Sequence, residues 1–277
     1  MATPIGHARD ITLRALDVLA GCDAIAAEDT RETLKLMALH GVARAGRPVI
    51  AYHDRNAGEA RPRIAAWLAE GRSVAYCSDA GTPLIADPGY RLVQLAVEAG
   101  AAVTAVPGAS ALLAGLSLSA LPTDRFLFAG FLPAKSAARR EALAGLAALP
   151  ATLVFYESPH RVVASVADMA EVLGGARPAA LARELTKRFE TVRRMTLDAL
   201  AAALAQEGAP KGEIVLVVAP PAAGDALPDD ATLDAALRAA MREESLRDAA
   251  RNVSDALGLP RRTVYARALA LGRLDEN

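Results

Sequence analysis

Ser78-Asp79-Ala80-Gly81-Thr82-Pro83-Leu84-Ile85-Ala86-Asp87-Pro88-Gly89 is the stretch around which the chain is organised. Ser73 to Cys77 before it is a short apolar run led by a β-former and reads as a buried strand. After it, Leu92, Val93, Leu95, Ala96 and Val97 mark a helix opened by Pro88 and Gly89. The stretch is therefore a loop from the carboxyl end of a strand to the start of a helix, the edge where ligands gather in open α/β sheets. Gly81 lets a ligand approach the backbone, and Asp79 and Asp87 place two carboxylates beside it. An ordinary turn, with Gly and Pro setting backbone angles and the Asp residues capping, accounts for the dipeptides taken singly but less well for the whole string.

The 277 residues, 53% of them hydrophobic and 23% charged, are enough for two domains and a small appendage. A net charge of -1 gives no global basic field, so any nucleic-acid contact has to come from local patches. Two cysteines exclude a disulfide framework and a cysteine-based zinc site, and the four histidines lack metal-ligand spacing, so no metal is expected. The longest apolar run, Ala109 to Leu121, is too short to span a bilayer, and with no signal peptide the chain reads as a soluble cytoplasmic protein.

Strands are expected at Asp23–Ala27, Pro48–Tyr52 and Ala102–Val106 besides the one before Ser78, alternating with helices as in a mostly parallel sheet. Glu28-Asp29-Thr30-Arg31, at a strand-to-helix junction, is either a site or an N-cap with Arg31 solvated. Composition shifts at Leu121-Pro122-Thr123-Asp124. Strands at Phe126–Phe131, Ala151–Tyr156, Ala179–Ala182 and Glu213–Ala219 then predict a second α/β domain. The boundaries fall at 1–121, 122–221 and 222–277. The last part holds a Pro/Ala/Gly/Asp-rich linker and three helical patterns resembling a helix-turn-helix. Arg247, Arg251, Arg261, Arg262 and Arg267 in that tail suit phosphates, though acidic neighbours offset them, and an oligomerising or capping module is the other reading.

No GxxxxGK[ST] or GxGxxG string is present, which disfavours a polyphosphate. An adenosine with a zwitterionic end fits better. Leu84, Ile85 and Ala111 would form an apolar slot, N–H groups at a helix start would hold a carboxylate, and Asp79 an ammonium group.

Ala2-Thr3-Pro4-Ile5-Gly6, Ala26-Ala27-Glu28-Asp29-Thr30-Arg31, Ser78-Asp79-Ala80-Gly81-Thr82-Pro83, Val106-Pro107-Gly108-Ala109-Ser110-Ala111, Phe155-Tyr156-Glu157-Ser158-Pro159-His160-Arg161 and Arg183-Glu184-Leu185-Thr186-Lys187 occur in that order. Together they resemble the tetrapyrrole-methylase-like (class III) methyltransferases, in the branch that modifies 16S rRNA, over nearly the whole chain. The resemblance implies methyl transfer from S-adenosyl-L-methionine to the ribose 2′-hydroxyl of a cytidine in the decoding region of the small ribosomal subunit. It also implies a homodimer and a cofactor folded into the cleft between two α/β domains. By motif, Pro4, Gly6, Asp79, Gly81, Leu84, Ile85, Ser110 and Ala111 would line the cofactor site, with Leu132 across the cleft.

Because they follow a second-domain strand and should face the cleft, Lys187 and Glu184 are the expected catalytic pair, removing or stabilising the proton charge of a poor nucleophile. Arg31, Arg161 and Arg188, with Arg261 and Arg262 of the tail, are the candidate RNA-phosphate contacts. Two features depart from the family's pattern. Relatives carry an apolar strand before Thr-Pro-Ile-Gly, whereas this chain opens Met1-Ala2, which predicts unpaired ladder groups and a start further upstream. His7 stands where Asn is usual, so it receives no cofactor contact. The cofactor loops alone also permit a methyltransferase acting on a tetrapyrrole, another small molecule or a protein side chain. A DNA-binding regulator sensing a nucleoside-like ligand is the reading from another class.

Overall fold

A computed structural model of the chain describes residues 1–53, 56–86, 89–222, 230–257, 259 and 261–275. In the N-terminal part, strands β1 (Ala24–Ala27), β2 (Val49–Ala51) and β3 (Val74–Cys77) alternate with helices α1 (Leu13–Gly21), α2 (Thr30–Leu39), α3 (Ala57–Ala69), α4 (Tyr90–Glu98) and α5 (Ala111–Leu118). Thr12 starts α1 by accepting from the Ala15 N–H, and Asp29 starts α2 by accepting from the Arg31 N–H, each filling a donor the helix leaves unpaired. The strands pair in parallel in the order β2-β1-β3. The central strand is buried on both faces: Ile25 and Ala27 meet Leu19 and Met37, while Ala24 and Ala26 meet Tyr52, Ile64 and Trp67.

The expected strand at Ala102–Val106 does not form. What lies between it and β3 is the first few residues of the chain. The Met1 amino group donates to the Tyr76 carbonyl (2.6 Å) on one side, and the Ala2 N–H to the Val106 carbonyl (3.1 Å) on the other. One backbone bond does not make a ladder, so residues 102–105 stay largely exposed. Thr3 and Gly81 then exchange both backbone hydrogen bonds, covering part of the edge that the sequence left bare.

Strands β4 (Phe126–Phe131), β5 (Thr152–Glu157), β6 (Pro178–Arg183), β7 (Thr191–Thr196) and β8 (Ile214–Val218) build the second sheet, with helices α6 (Ser136–Ala144), α7 (Val162–Leu173) and α8 (Leu197–Glu207). Its order is β4-β5-β8-β6-β7, and only β4 and β5 run parallel. Alternation along β5 sends Leu153 and Phe155 into a core with Val166, Met169 and Leu200, and Val154 to the other face with Leu112 and Leu116 of α5. The approach of α5 to that face is close: a Cβ on Gly115 would stand 2.8 Å from Val215 Cγ1.

Helices α9 (Asp230–Ala240), α10 (Leu246–Leu257) and α11 (Arg261–Asp275) form the third unit around Leu233, Leu237, Val253, Val264, Ala268 and Leu271. Asp87, Pro88 and most of the linker expected before α9 lie outside the described residues. Among the described residues, no helix is long and apolar enough to cross a membrane.

Candidate functional site

The loops that leave β3, β5 and β6 converge on one cleft of about 380 Å³. Ile5, Ile85, Ala111, Phe131, Leu185, Ile214 and Val215 make its apolar wall, while Glu28, Asp79 and Glu213 bring carboxylates to it and Glu157 lines it with its own side chain buried. A cleft of this size, mostly apolar with a few convergent polar groups, suits a small organic ligand.

The N-terminal segment stitches the two halves of this cleft together. Thr3 bonds Gly81 through its backbone and the Ser78 carbonyl through Oγ1 (3.1 Å), and the His7 N–H donates to Thr186 Oγ1 (3.0 Å). Between these anchors Ile5 enters the cleft. Gly6 lies so close to the second-half loop that a Cβ would meet Lys187 Cγ at 2.5 Å and the Leu185 carbonyl at 2.9 Å. Both lining loops are bent by left-handed residues that are not glycine: Leu84 (φ 70°) and Ala86 (φ 62°) flank Ile85, and Glu184 (φ 53°) and Thr186 (φ 62°) flank Leu185. Each such residue costs about 1–2 kcal/mol, a strain that surrounding contacts must hold. Ile85 and Leu185 reach the cleft on the crests of these bends.

Asp79, Gly81, Ile85 and Ala111 are brought together in the cleft wall, as their motifs imply. Asp79 is itself oriented, its Oδ1 accepting from the Asp29 N–H (2.7 Å) while its own N–H donates to Glu28 Oε2 (3.3 Å). The other expected cofactor residues stand back from the wall. Pro4 and Gly6 flank Ile5, Leu84 is partly solvent-exposed beside Ile85, and Ser110 caps α5. Leu132 corrects the expectation of a residue across the cleft. Its side chain is buried in the core of the second sheet, and the neighbouring Phe131 lines the cleft instead. The start of α5 offers few free N–H groups for a carboxylate, because Leu112 N–H already donates to Tyr156 Oη (3.1 Å) and Leu113 N–H to Ser110 Oγ.

Lys187 and Glu184 do not line the cleft either. Lys187 Nζ donates to Glu184 Oε1 (2.9 Å) and to Glu213 Oε2 (3.0 Å), and so reaches the wall only through Glu213. Partial burial pulls the Lys187 pKa down, but the hydrogen bonds to Glu184 and Glu213 outweigh it and the net shift is upward from 10.5. Lys187 is therefore held as a cation near neutral pH. The bond from Lys187 and the Glu213 N–H hold Glu184 below its usual value of 4.5. The pair's stabilisation is thus complete above that value and is lost as pH falls through the lowered one. Both cysteines are buried, and burial pushes Cys77 up to about 12 and raises Cys22.

Of the arginines expected on RNA phosphates, Arg161 turns inward. It donates to the Leu132 carbonyl and stands 3.4 Å from the fully buried Glu157 carboxylate, so it braces the cleft wall. Glu157 also accepts from the Ser158 N–H and Ser165 Oγ. Arg31 is 87% exposed but forks onto Asp29, whose carboxyl it holds at about 2. Arg188 is exposed and lies over the Phe189 ring; Arg261 and Arg262 are exposed on α11. Phe131, Tyr156, Glu213 and Val215 were beyond reach of sequence reasoning, because only the strand order brings β4, β5 and β8 beside the loop after β3.

Residues 2–201 match the family described as Tetrapyrrole (Corrin/Porphyrin) Methylases, and 227–272 match the RsmI C-terminal HTH domain. The ribosomal RNA small subunit methyltransferase I of Mesorhizobium japonicum is 49% identical over 98% of this chain and 90% of its own length. The Escherichia coli O157:H7 protein of the same name is 45% identical over 96% of this chain and 92% of its own. Among solved structures, the uroporphyrin-III-C-methyltransferase of Thermus thermophilus is similar in fold, with a TM-score of 0.54 at 23% identity over 79% of this chain and 91% of that one. The chain belongs to the tetrapyrrole (corrin/porphyrin) methylases and, within them, to the ribosomal RNA small subunit methyltransferase I family.

Proposed function

We propose that the chain transfers the methyl group of S-adenosyl-L-methionine to the ribose 2′-hydroxyl of a cytidine in 16S rRNA of the small ribosomal subunit, acting in the cytoplasm as a homodimer. Its division at 1–121, 122–221 and 222–277 belongs to the same reading. Names shared by relatives over nearly the full length favour this reading over a tetrapyrrole methylase or a DNA-binding regulator. The observation that carries it is the cleft, whose apolar wall and carboxylates suit an adenosine with a cationic amino-acid end.

In this reading Ile5, Ile85 and Ala111 pack the base and Asp79, held by Asp29, takes the ammonium group. S-adenosyl-L-methionine supplies an electrophilic methyl carbon. The chain's part is to hold the attacking hydroxyl in line and to exclude water, which is worth several orders of magnitude when geometry is near attack. The hydroxyl that takes this methyl would have to shed its proton. Glu213 at the cleft wall accepts it, with Lys187 and Glu184 as positioning residues fixing that carboxylate.

Purified protein is tested with tritiated S-adenosyl-L-methionine and small subunits from a strain lacking the enzyme. Label surviving alkaline hydrolysis in a ribose-methylated cytidine dinucleotide is expected; unlabelled rRNA with intact cofactor binding would refute the substrate. Lys187→Met should lower kcat roughly tenfold with cofactor Kd unchanged, and Lys187→Arg should restore most of it. A proton-accepting Lys187 would instead lose activity in the arginine variant too, because guanidinium does not deprotonate near neutral pH.

A further inference from the structure

The cleft wall includes no lysine or arginine among the described residues. A strand that offers its ribose to Glu213 has to be gripped at the rim instead. One rim is the turn from β6 to β7, whose Leu185 lines the cleft and whose Lys187 bonds Glu213. Two residues further on stands Phe189, 64% exposed. A lone exposed apolar side chain is ordinary in a folded protein. This ring differs in how it is held and in what surrounds it.

The turn is stiffened from within. The Arg183 guanidinium donates to the Phe189 carbonyl (3.1 Å), the Lys211 carbonyl (3.1 Å) and Thr191 Oγ1 (3.2 Å), which pins this turn to the one before β8. Glu190 accepts from the Thr186 N–H (2.6 Å), and the Glu190 N–H donates to the Lys187 carbonyl (3.2 Å). A partner that stacks on the ring therefore meets little of the ordering cost that a loose loop would add. The Arg188 guanidinium lies over one face of the ring, 5.5 Å from its centroid, and the exposure that remains leaves the other face open. Arg188 and Lys211 are exposed, and no ion pair engages either among the described residues. A flat apolar face flanked by cations matches a base on an anionic strand, since every base has a π-face and its phosphates meet the cations.

We infer that Phe189, backed by Arg188, is a stacking platform for a base of the RNA substrate next to the nucleotide in the cleft. Two residues span at most about 7 Å of chain from Lys187, so the stacked base belongs to the strand that enters the cleft. The inference rests on the proposal that the substrate is RNA and names the side chain that fixes where the strand crosses the rim.

The test uses the full chain and small subunits from a strain lacking the enzyme. Phe189→Ala should raise KM for subunits about tenfold with kcat within about twofold, as loss of a stacking contact shared by ground and transition states does. Cofactor Kd by calorimetry stays as in wild type, which shows the variant is folded, and Phe189→Trp keeps the wild-type KM. In Phe189→Trp the new indole should also lose fluorescence as a short single-stranded RNA binds. Wild type, whose Trp67 is buried in the core of the first sheet, should show no such loss. The same strand made abasic throughout should leave the emission unchanged. A wild-type KM in Phe189→Ala, an indole that RNA leaves unquenched, or equal quenching by the abasic strand would overturn the inference. So would Phe189→Ala sedimenting as a monomer where wild type is a dimer, which would give the ring to the contact between copies. Wild type that methylates no subunits, with the indole quenched by RNA, sinks the enzyme reading alone. Wild type that methylates, with Phe189→Ala matching its KM, sinks the platform alone.

Discussion

Replacing Ala111 with tryptophan is expected to weaken S-adenosyl-L-methionine binding by about 100-fold, roughly 2.8 kcal/mol, with the fold intact. Ala111 is the first residue of α5 and lies in the cleft wall with Ile5 and Ile85. Ala111 is half-buried and also touches the core around Leu112 and Leu116, so a urea-unfolding midpoint measured beside the titration shows that the variant is folded. The indole occupies the apolar part of a cleft of about 380 Å³, where the adenosine is proposed to sit. Leu113→Trp is the control, because Leu113 is 52% exposed on the same helix and does not line the cleft. Calorimetric titration reads both variants. Equal affinity of Ala111→Trp and wild type would place the cofactor elsewhere.

That Ala111 can be chosen at all reflects how much was legible in the sequence. Strand ends followed by helix starts are local patterns, and β1, β3 and β5 fall within a residue or so of their apolar runs. The loops carrying Asp79, Gly81, Ile85 and Ala111 were legible for the same reason. Two kinds of feature were not. The edge strand β7 reads Thr-Val-Arg-Arg-Met-Thr, with a half-exposed and an exposed arginine where a buried strand would be apolar, so its propensity is hidden by the charges that suit an edge. The Ala102–Val106 run has the right propensity but no neighbour able to pair along it, and pairing is a property of the fold and not of the run. The partners of the expected catalytic pair were hidden at the same level. Lys187 does follow a strand, but it bonds Glu184 and Glu213, and Glu213 arrives from the start of β8, beyond the window that local patterns read. Arg161 likewise looked like a surface cation until β5 and the loop after β4 closed around it.

The loop after β4 is also where the largest stability effect is expected. Asp168→Ala should destabilise the second sheet and its helices by about 3–5 kcal/mol, because it leaves the Arg139 guanidinium buried without its counter-ion. Arg139 on α6 is 3% exposed, its Nε donates to Asp168 Oδ2 on α7 at 2.6 Å, and Ser136 Oγ donates to the same carboxylate. Far-ultraviolet circular dichroism during urea unfolding should show the lowered midpoint. The fluorescence of Trp67, the single tryptophan, reports the core of the first sheet and should shift less. Removing both charges tests the cause. Arg139→Met with Asp168→Leu keeps the volume and abolishes the unpaired charge, so it should recover most of the loss, whereas a defect of packing alone would persist. The effect reaches the cleft as well. Arg139 also donates to the Ala134 carbonyl (3.1 Å), and Arg161 to the Leu132 carbonyl, so the segment just after Phe131 is held from two sides. With Asp168 gone, one of those holds loses its orientation and Phe131 loses its fixed place in the wall. Asp168→Ala should then bind S-adenosyl-L-methionine several-fold more weakly even at temperatures where it is fully folded, whereas an unchanged Kd would confine Asp168 to stability.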